Sequence, residues 1–277
     1  MSQEIQAFNS KVEHCLCAPG DGVFTVNTAK ERKAALRNKL YGQTENVDTL
    51  WRESLNELPH SPHKAVMLGI SSDCGGGILR GANWGPLFVR SALIDQHPEC
   101  HSFDLGDVRV IPHLLHDKYL NDTTISNCQK ALYGNENNDY YVSPLSITED
   151  VCDSFYATFK DKGIFGIGGD HSISYPLTKA YLKAKREQGK RTAIIHFDAH
   201  TDLLVERLGI DLCFGSWCTH ILEFLPAPHH LIQFGIRSSG KPKSHWENTF
   251  GVKQHWAHEI IERGAAAVAA ETIAQLK

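Results

Sequence analysis

No CxxC pair, no basic block, no long apolar run and no internal repeat occur in this sequence of 277 residues. Each absence closes a class of function. With a formal net charge of −4 and no basic stripe, there is no electrostatic footprint for nucleic acid. No window approaches the roughly 18–20 unbroken apolar residues of a membrane span, so no membrane partner is expected. The first residues, Met1-Ser2-Gln3-Glu4-Ile5, lack the charged-then-apolar layout of a signal peptide, and the expected location is the cytoplasm. Eight cysteines are scattered from Cys15 to Cys218 in a chain too long for a disulfide scaffold, which reads as reduced thiols. What is present is ordinary globular composition, 42% apolar and 22% charged, enough for one large domain or two small ones. Sixteen histidines are more than usual and raise the question of metal or acid–base chemistry.

Residues 1–62 read as an N-terminal helical extension. Thr28 to Leu40 and Asn46 to Leu58 carry apolar residues at helical spacing among charges, and the stretch from Pro59 to His63 punctuates the end. From Lys64 the texture changes to short apolar runs: Ala65–Ile70, Ile164–Ile167, Thr192–Phe197 and Leu231–Ile236. A glycine-rich loop, 71–85, follows the first run, and a helix is expected to open at Pro86. Helical text also follows at Tyr175–Lys185 and from about Trp256 to Leu276, whereas 121–144 reads as a long polar loop. Fully apolar strands alternating with helices predict an α/β fold, a three-layer sandwich with a mainly parallel sheet, over 63–277.

In such folds, chemistry gathers beyond the carboxyl ends of the strands. The run 164–167 ends in Gly168-Gly169-Asp170-His171-Ser172, and the run 192–197 ends in Asp198-Ala199-His200-Thr201-Asp202. In an extended chain Asp198 and His200 share a face, and Asp202 joins them if the backbone turns. His171 would arrive from an adjacent strand end, its loop bent by two glycines. Carboxylates and imidazoles without thiolates suit Mn²⁺, Fe²⁺, Co²⁺ or Ni²⁺ better than a structural zinc. A bimetal pair at ~3.5–4 Å generates hydroxide at neutral pH.

These two motifs, in this order, resemble those of the ureohydrolase family of arginases and agmatinases. The segment Gly81-Ala82-Asn83-Trp84-Gly85-Pro86 leading to Val89-Arg90, and Asp104-Leu105-Gly106-Asp107-Val108, resemble further family segments. The resemblance implies a site for two divalent ions, Mn²⁺ or Ni²⁺. His171, Asp198 and Asp202 would bind the first, Asp198 would bridge, and His200 would bind the second. It further implies a bridging hydroxide that attacks a guanidinium carbon, giving urea and an amine. His220, in the loop after the second motif, would assist proton transfer. Family members are commonly trimers or hexamers, so a homo-oligomer is expected.

The family's last two ligands are aspartates in a D-x-D strand, and no Asp follows Asp211 here. The chain is therefore expected to be C-terminally truncated, or else a remnant with an incomplete site. The loop 203–212 is long and apolar, with Glu206 and Arg207 as its charged pair before Asp211. It offers little to anchor an amino acid, so guanidine or agmatine ranks above arginine as the small guanidinium substrate. Trp217, with Phe214, would wall a small cavity by cation–π attraction, and Glu206 or Asp211 would hold agmatine's distal amine. The extended N-terminus and the Gly215-Ser216-Trp217 loop resemble the bacterial agmatinase-like, guanidine hydrolase branch. An inactive remnant and an amidine hydrolase such as a formiminoglutamase stand as alternatives.

Overall fold

The structure, a computed structural model, describes residues 3–23, 29–74, 80–99 and 102–276. Thr28 at the expected start of a helix, positions 75–79 of the glycine-rich loop, Cys100 and Lys277 lie outside them. The chain forms two compact units, Met1–Tyr181 and Leu182–Lys277.

The first unit runs α1 (Gln3–Cys15), β1 (Leu16–Cys17), α2 (Lys30–Tyr41), α3 (Val47–Leu55), β2 (Ala65–Ile70), α4 (Gly85–Gln96), β3 (Phe103–Val108), α5 (Asp122–Tyr133), α6 (Pro144–Thr158) and β4 (Gly163–Gly168). The boundary falls within α7 (Ser174–Glu187). Its sheet has the order β1-β3-β2-β4. β2 pairs in parallel with both β3 and β4, and β1 pairs antiparallel with β3. Val66, Leu68 and Ile70 of β2 are wholly buried, as the central strand of a covered sheet requires.

The N-terminal helices are present but are not an appendage to this unit. Phe8 of α1 packs edge-on against Phe155 and Phe159, with centroids 6.0 and 5.3 Å away. Trp51 of α3 donates its indole N–H to the Leu105 carbonyl at 3.1 Å. Each such buried side chain contributes roughly 1.5–3 kcal/mol, so α1 and α3 are part of this core. The two compact units part at 181/182.

The expected loop at 121–144 contains α5. Asn121 caps it by accepting the Thr124 N–H at 2.8 Å, and Gly134 ends it with φ at 70°. Polar composition hid a helix whose end signals were nonetheless written in the sequence.

The second unit holds β5 (Ile194–Phe197), β6 (Leu231–Ile236), α8 (Lys243–Phe250), β7 (Lys253–Trp256), α9 (Ala257–Arg263) and α10 (Ala265–Leu276). Its three strands, in the order β5-β6-β7, are all parallel. Gly264, at φ 83°, breaks the expected C-terminal helix into α9 and α10. β4 is in register with β2 from Ala65↔Gly163 to Ile70↔Gly168, whereas β5 pairs with β6. Among the described residues, no helix is long and apolar enough to cross a membrane.

Candidate metal centre

In the first unit, the turn after β4 presents His171 at the start of a 3-10 turn, His171–Ile173. A Cβ on Gly169 would meet the carbonyl oxygens of Ile70 and Ser72 at 2.6 and 2.7 Å, so only glycine lets the strand end pass there. Asp170, 6% exposed, clamps the turn. Its Oδ2 accepts from the Ser72 hydroxyl and the Cys74 amide, both at 3.0 Å. Its Oδ1 accepts from the Ser172 amide and hydroxyl at 2.9 and 2.5 Å.

In the second unit, the turn after β5 is fastened to the end of β6. The Asp198 amide donates to the Phe234 carbonyl at 3.1 Å, and the Arg237 amide donates to the Ala199 carbonyl at 2.9 Å. Asp198 Oδ1 accepts the His200 amide at 2.8 Å, a side-chain turn that aims the carboxylate back over the strand end. Asp202 adopts φ 50°, a left-handed conformation that Asp tolerates better than most residues. That twist brings Asp202 into the group that the alternating strand pattern alone could not complete.

One ligand atom from each of His196, Asp198 and Asp202 lies within 4.8 Å of the others. Asp198 and Asp202 were expected in such a group, but His196 was not. It lies inside the apolar run, yet the strand faces opposite to what that run suggests: His196 is buried while Ile195 and Phe197 are 44% and 77% exposed. The signal was available, because His196 and Asp198 are two apart on an extended strand and share a face.

The remaining expectations fare differently. The His200 ring is 64% exposed, with Nδ1 3.4 Å from Asp198 Oδ1, and it lies outside the group. Its backbone turns at the strand end, so the two-residue alternation no longer applies. Trp217 is 3% exposed and donates its indole N–H to Asp202 Oδ2 at 2.9 Å. It braces a carboxylate and is not the exposed aromatic wall that cation–π capture needs. Phe214 instead takes the Arg207 guanidinium over its ring at 5.7 Å. Glu206 is exposed in the loop. His220 bonds through Nε2 to the Asp211 carbonyl at 2.8 Å, which tethers its own loop. Cys218 lies beneath the site, where burial and then Asp202 and Asp198 push its thiol well above its ordinary pKa, so it stays neutral.

The donor set is right for a hard or borderline divalent cation: two carboxylates and an imidazole on one strand end, with no thiolate in the group.

The sequence pattern of the Arginase family matches residues 63–277. An agmatinase of Bacillus anthracis is 32% identical over 201 residues, covering 68% of this chain and 57% of that protein. A formimidoylglutamase of Halalkalibacterium halodurans is 37% identical over 114 residues, 40% of this chain and 34% of that protein. The chain thus spans between a third and three-fifths of the length of these relatives. Among solved structures, arginase from Medicago truncatula superposes with a TM-score of 0.56 at 19% identity, over 94% of this chain and 67% of that one. At that identity the likeness speaks for the α/β arginase-like fold.

Proposed function

The chain belongs to the arginase family, and from that premise we propose metal-dependent hydrolysis of a C–N bond in a guanidino compound, guanidine or agmatine, giving urea plus ammonia or amine. The observation that carries the proposal is the convergence of Asp198 and Asp202 beyond β5, where the donor set fits a divalent cation. When bound, Mn²⁺ or Ni²⁺ would polarise the substrate and supply a nucleophile at neutral pH. The protein's part is to hold the carboxylates in place. Asp198 is oriented by the His200 amide, and Asp202 by the Trp217 indole. The resemblance adds His171 and His200 as metal ligands and His220 as the proton-transfer group, and these assignments are part of the proposal.

The burial of Trp217 removes the aromatic face that favoured free guanidine. Agmatine gains from the similarity to agmatinases and from the exposed carboxylate of Glu206, which suits a distal ammonium. The similarity to a formimidoylglutamase supports an amidine substrate as the second reading. We place the chain in a homo-oligomer, a trimer or hexamer, which light scattering measures directly.

The deciding experiment loads the full chain with Mn²⁺ or Ni²⁺ and offers agmatine, guanidine and formiminoglutamate, reading urea and formamide. Metal-stimulated urea release that Asp198→Asn abolishes is the expected result. Release undiminished in Asp198→Asn would end the reading, and formamide in place of urea would transfer it to the amidine hydrolases.

A further inference from the structure

A line of polar side chains runs from β7 through β6 to the turn after β5. Gln233 and Gln254 face each other on β6 and β7 and are wholly buried. The Trp256 indole N–H donates to Gln254 Oε1 at 2.9 Å, and Gln254 Nε2 donates to Gln233 Oε1 at 2.7 Å. Gln233 Nε2 donates to the Thr201 carbonyl at 2.6 Å and lies 2.9 Å from His196 Nδ1. The order of the line is fixed at both ends. An indole can only donate and a carbonyl can only accept. Turning either amide over would set like against like inside the core, where an unsatisfied polar group is costly.

The carbonyl at the end of the line belongs to the peptide bond that enters Asp202. Asp202 sits at φ 50°, and φ is the rotation between that peptide plane and the Asp202 Cα. A left-handed backbone is unfavourable for any residue but glycine, and it persists only where the surroundings over-determine it. Here both sides of the rotation are held. Gln233 grips the Thr201 carbonyl before the N–Cα bond, and the Trp217 indole grips the Asp202 carboxylate after it, at 2.9 Å. Backbone bonds fasten the turn on either side, from the Arg237 amide to the Ala199 carbonyl and from the Leu204 amide to the Gly215 carbonyl. Between them, at Thr201, the fastening is done by a side chain from the neighbouring strand.

We infer that Gln233 is a positioning residue for the metal centre: ordered by the line from Trp256, its amide holds the Thr201 carbonyl and with it the left-handed twist that carries Asp202 into the group with Asp198. An apolar side chain at 233 would fill the same space without pulling on the turn, so the amide and not its volume sets the twist. The twist stands on the hydrogen bonds alone, while its consequence for metal binding rests on the proposed function.

The full chain, metal-free and labelled with ¹³C and ¹⁵N, tests the twist through the Cα and Cβ chemical shifts of Asp202. Left-handed values are expected in the unaltered chain and in Val268→Ala, a control that opens a cavity at a buried position of α10 outside the line. Gln233→Met, of similar length but without the amide, should lose them. Left-handed shifts kept in Gln233→Met would overturn the inference, and so would their loss in Val268→Ala, since any destabilisation would then suffice. If Gln233→Met does not fold, Gln254→Leu decides. It frees the Gln233 amide to turn, so the shifts should move part of the way to ordinary values, and unmoved shifts would overturn the inference. Mn²⁺ affinity, measured by electron paramagnetic resonance, tests the consequence. Gln233→Met should bind about tenfold more weakly, the usual effect of losing a group that orients a ligand, and Val268→Ala should stay within about threefold. Full affinity in Gln233→Met, with affinity lost in Asp198→Asn, would overturn the positioning role. Failure of the unaltered chain to take up Mn²⁺ would overturn the proposed function and that role with it, while the shifts would still decide the twist.

Discussion

The two units bury polar groups in opposite ways. In the first, the Arg90 guanidinium, 1% exposed, meets Asp104 Oδ2 at 2.7 Å and Asp107 Oδ1 at 2.9 Å. Asp107 Oδ2 in turn accepts the Gly20 and Gly22 amides at 2.9 and 3.3 Å. Burial opposes the charge on Arg90, but Asp107 and then Asp104 outweigh it and raise its pKa. In the second unit the buried polar line is made of an indole and two amides: Trp256 donates to Gln254, Gln254 donates to Gln233, and Gln233 meets His196. A charged cluster is strong and holds α4, β3 and the N-terminal segment together. A chain of amides is weaker, but its donors and acceptors all run one way, from Trp256 toward β5. The difference separates fastening from directing.

Breaking the charged cluster should give the largest effect. Arg90→Met leaves the buried Asp107 and the half-buried Asp104 without their cation, and a loss of about 3–5 kcal/mol is expected. Denaturant unfolding of the full chain measures it, and a loss under 1 kcal/mol would show that the carboxylates find other relief. Gln254→Leu in the neutral line should cost less, about 1–3 kcal/mol, because it strands the Gln233 carbonyl and the Trp256 indole without adding a charge. A cost equal to that of Arg90→Met would erase the contrast between the units.

The smallest effect concerns protons. Each unit holds a histidine whose pKa burial depresses, His116 in the first and His255 in the second. For His255, Lys253, Lys243 and Arg263 add to burial, while Glu271 opposes it. A depressed pKa means that the unfolded chain takes up the proton first. The associated stability is therefore complete above about pH 6.5, the ordinary value, and is lost as pH falls through the folded value. His255→Gln should flatten the fall of the unfolding midpoint between neutral and mildly acidic pH. An unchanged slope would assign the acid sensitivity to other groups.

Much of this was legible in the sequence where burial is apolar. β2, β4, β5 and β6 announced themselves as apolar runs, and the strand-end motifs located Asp198 and Asp202. β7 was not legible, because its buried positions are Gln254 and His255 and the run Lys253–Trp256 reads as polar. The same substitution of polarity for apolarity hid His196 and Gln233. The segments containing Arg90, Asp104 and Asp107 were recognised by resemblance alone, and the structure supplies their physical reason, since they close on one another. His200 lies one residue pair beyond the strand, where alternation no longer sets the direction of a side chain.

Asp202 closes the site with a backbone at φ 50°, and that has a consequence for how its role can be probed. Two properties are superimposed at this position, a charge and a left-handed twist, and most substitutions disturb both. Alanine or glutamate would remove or displace the carboxylate while also favouring a different backbone, so a loss of function in either would be ambiguous. Asparagine has nearly the same shape and the same tolerance for the left-handed region, and its amide oxygen can still accept the Trp217 indole. Asp202→Asn therefore subtracts the charge alone. Glycine does the reverse experiment only in part, keeping the twist while deleting the whole side chain, and the pair together separates what the carboxylate binds from what the bend arranges.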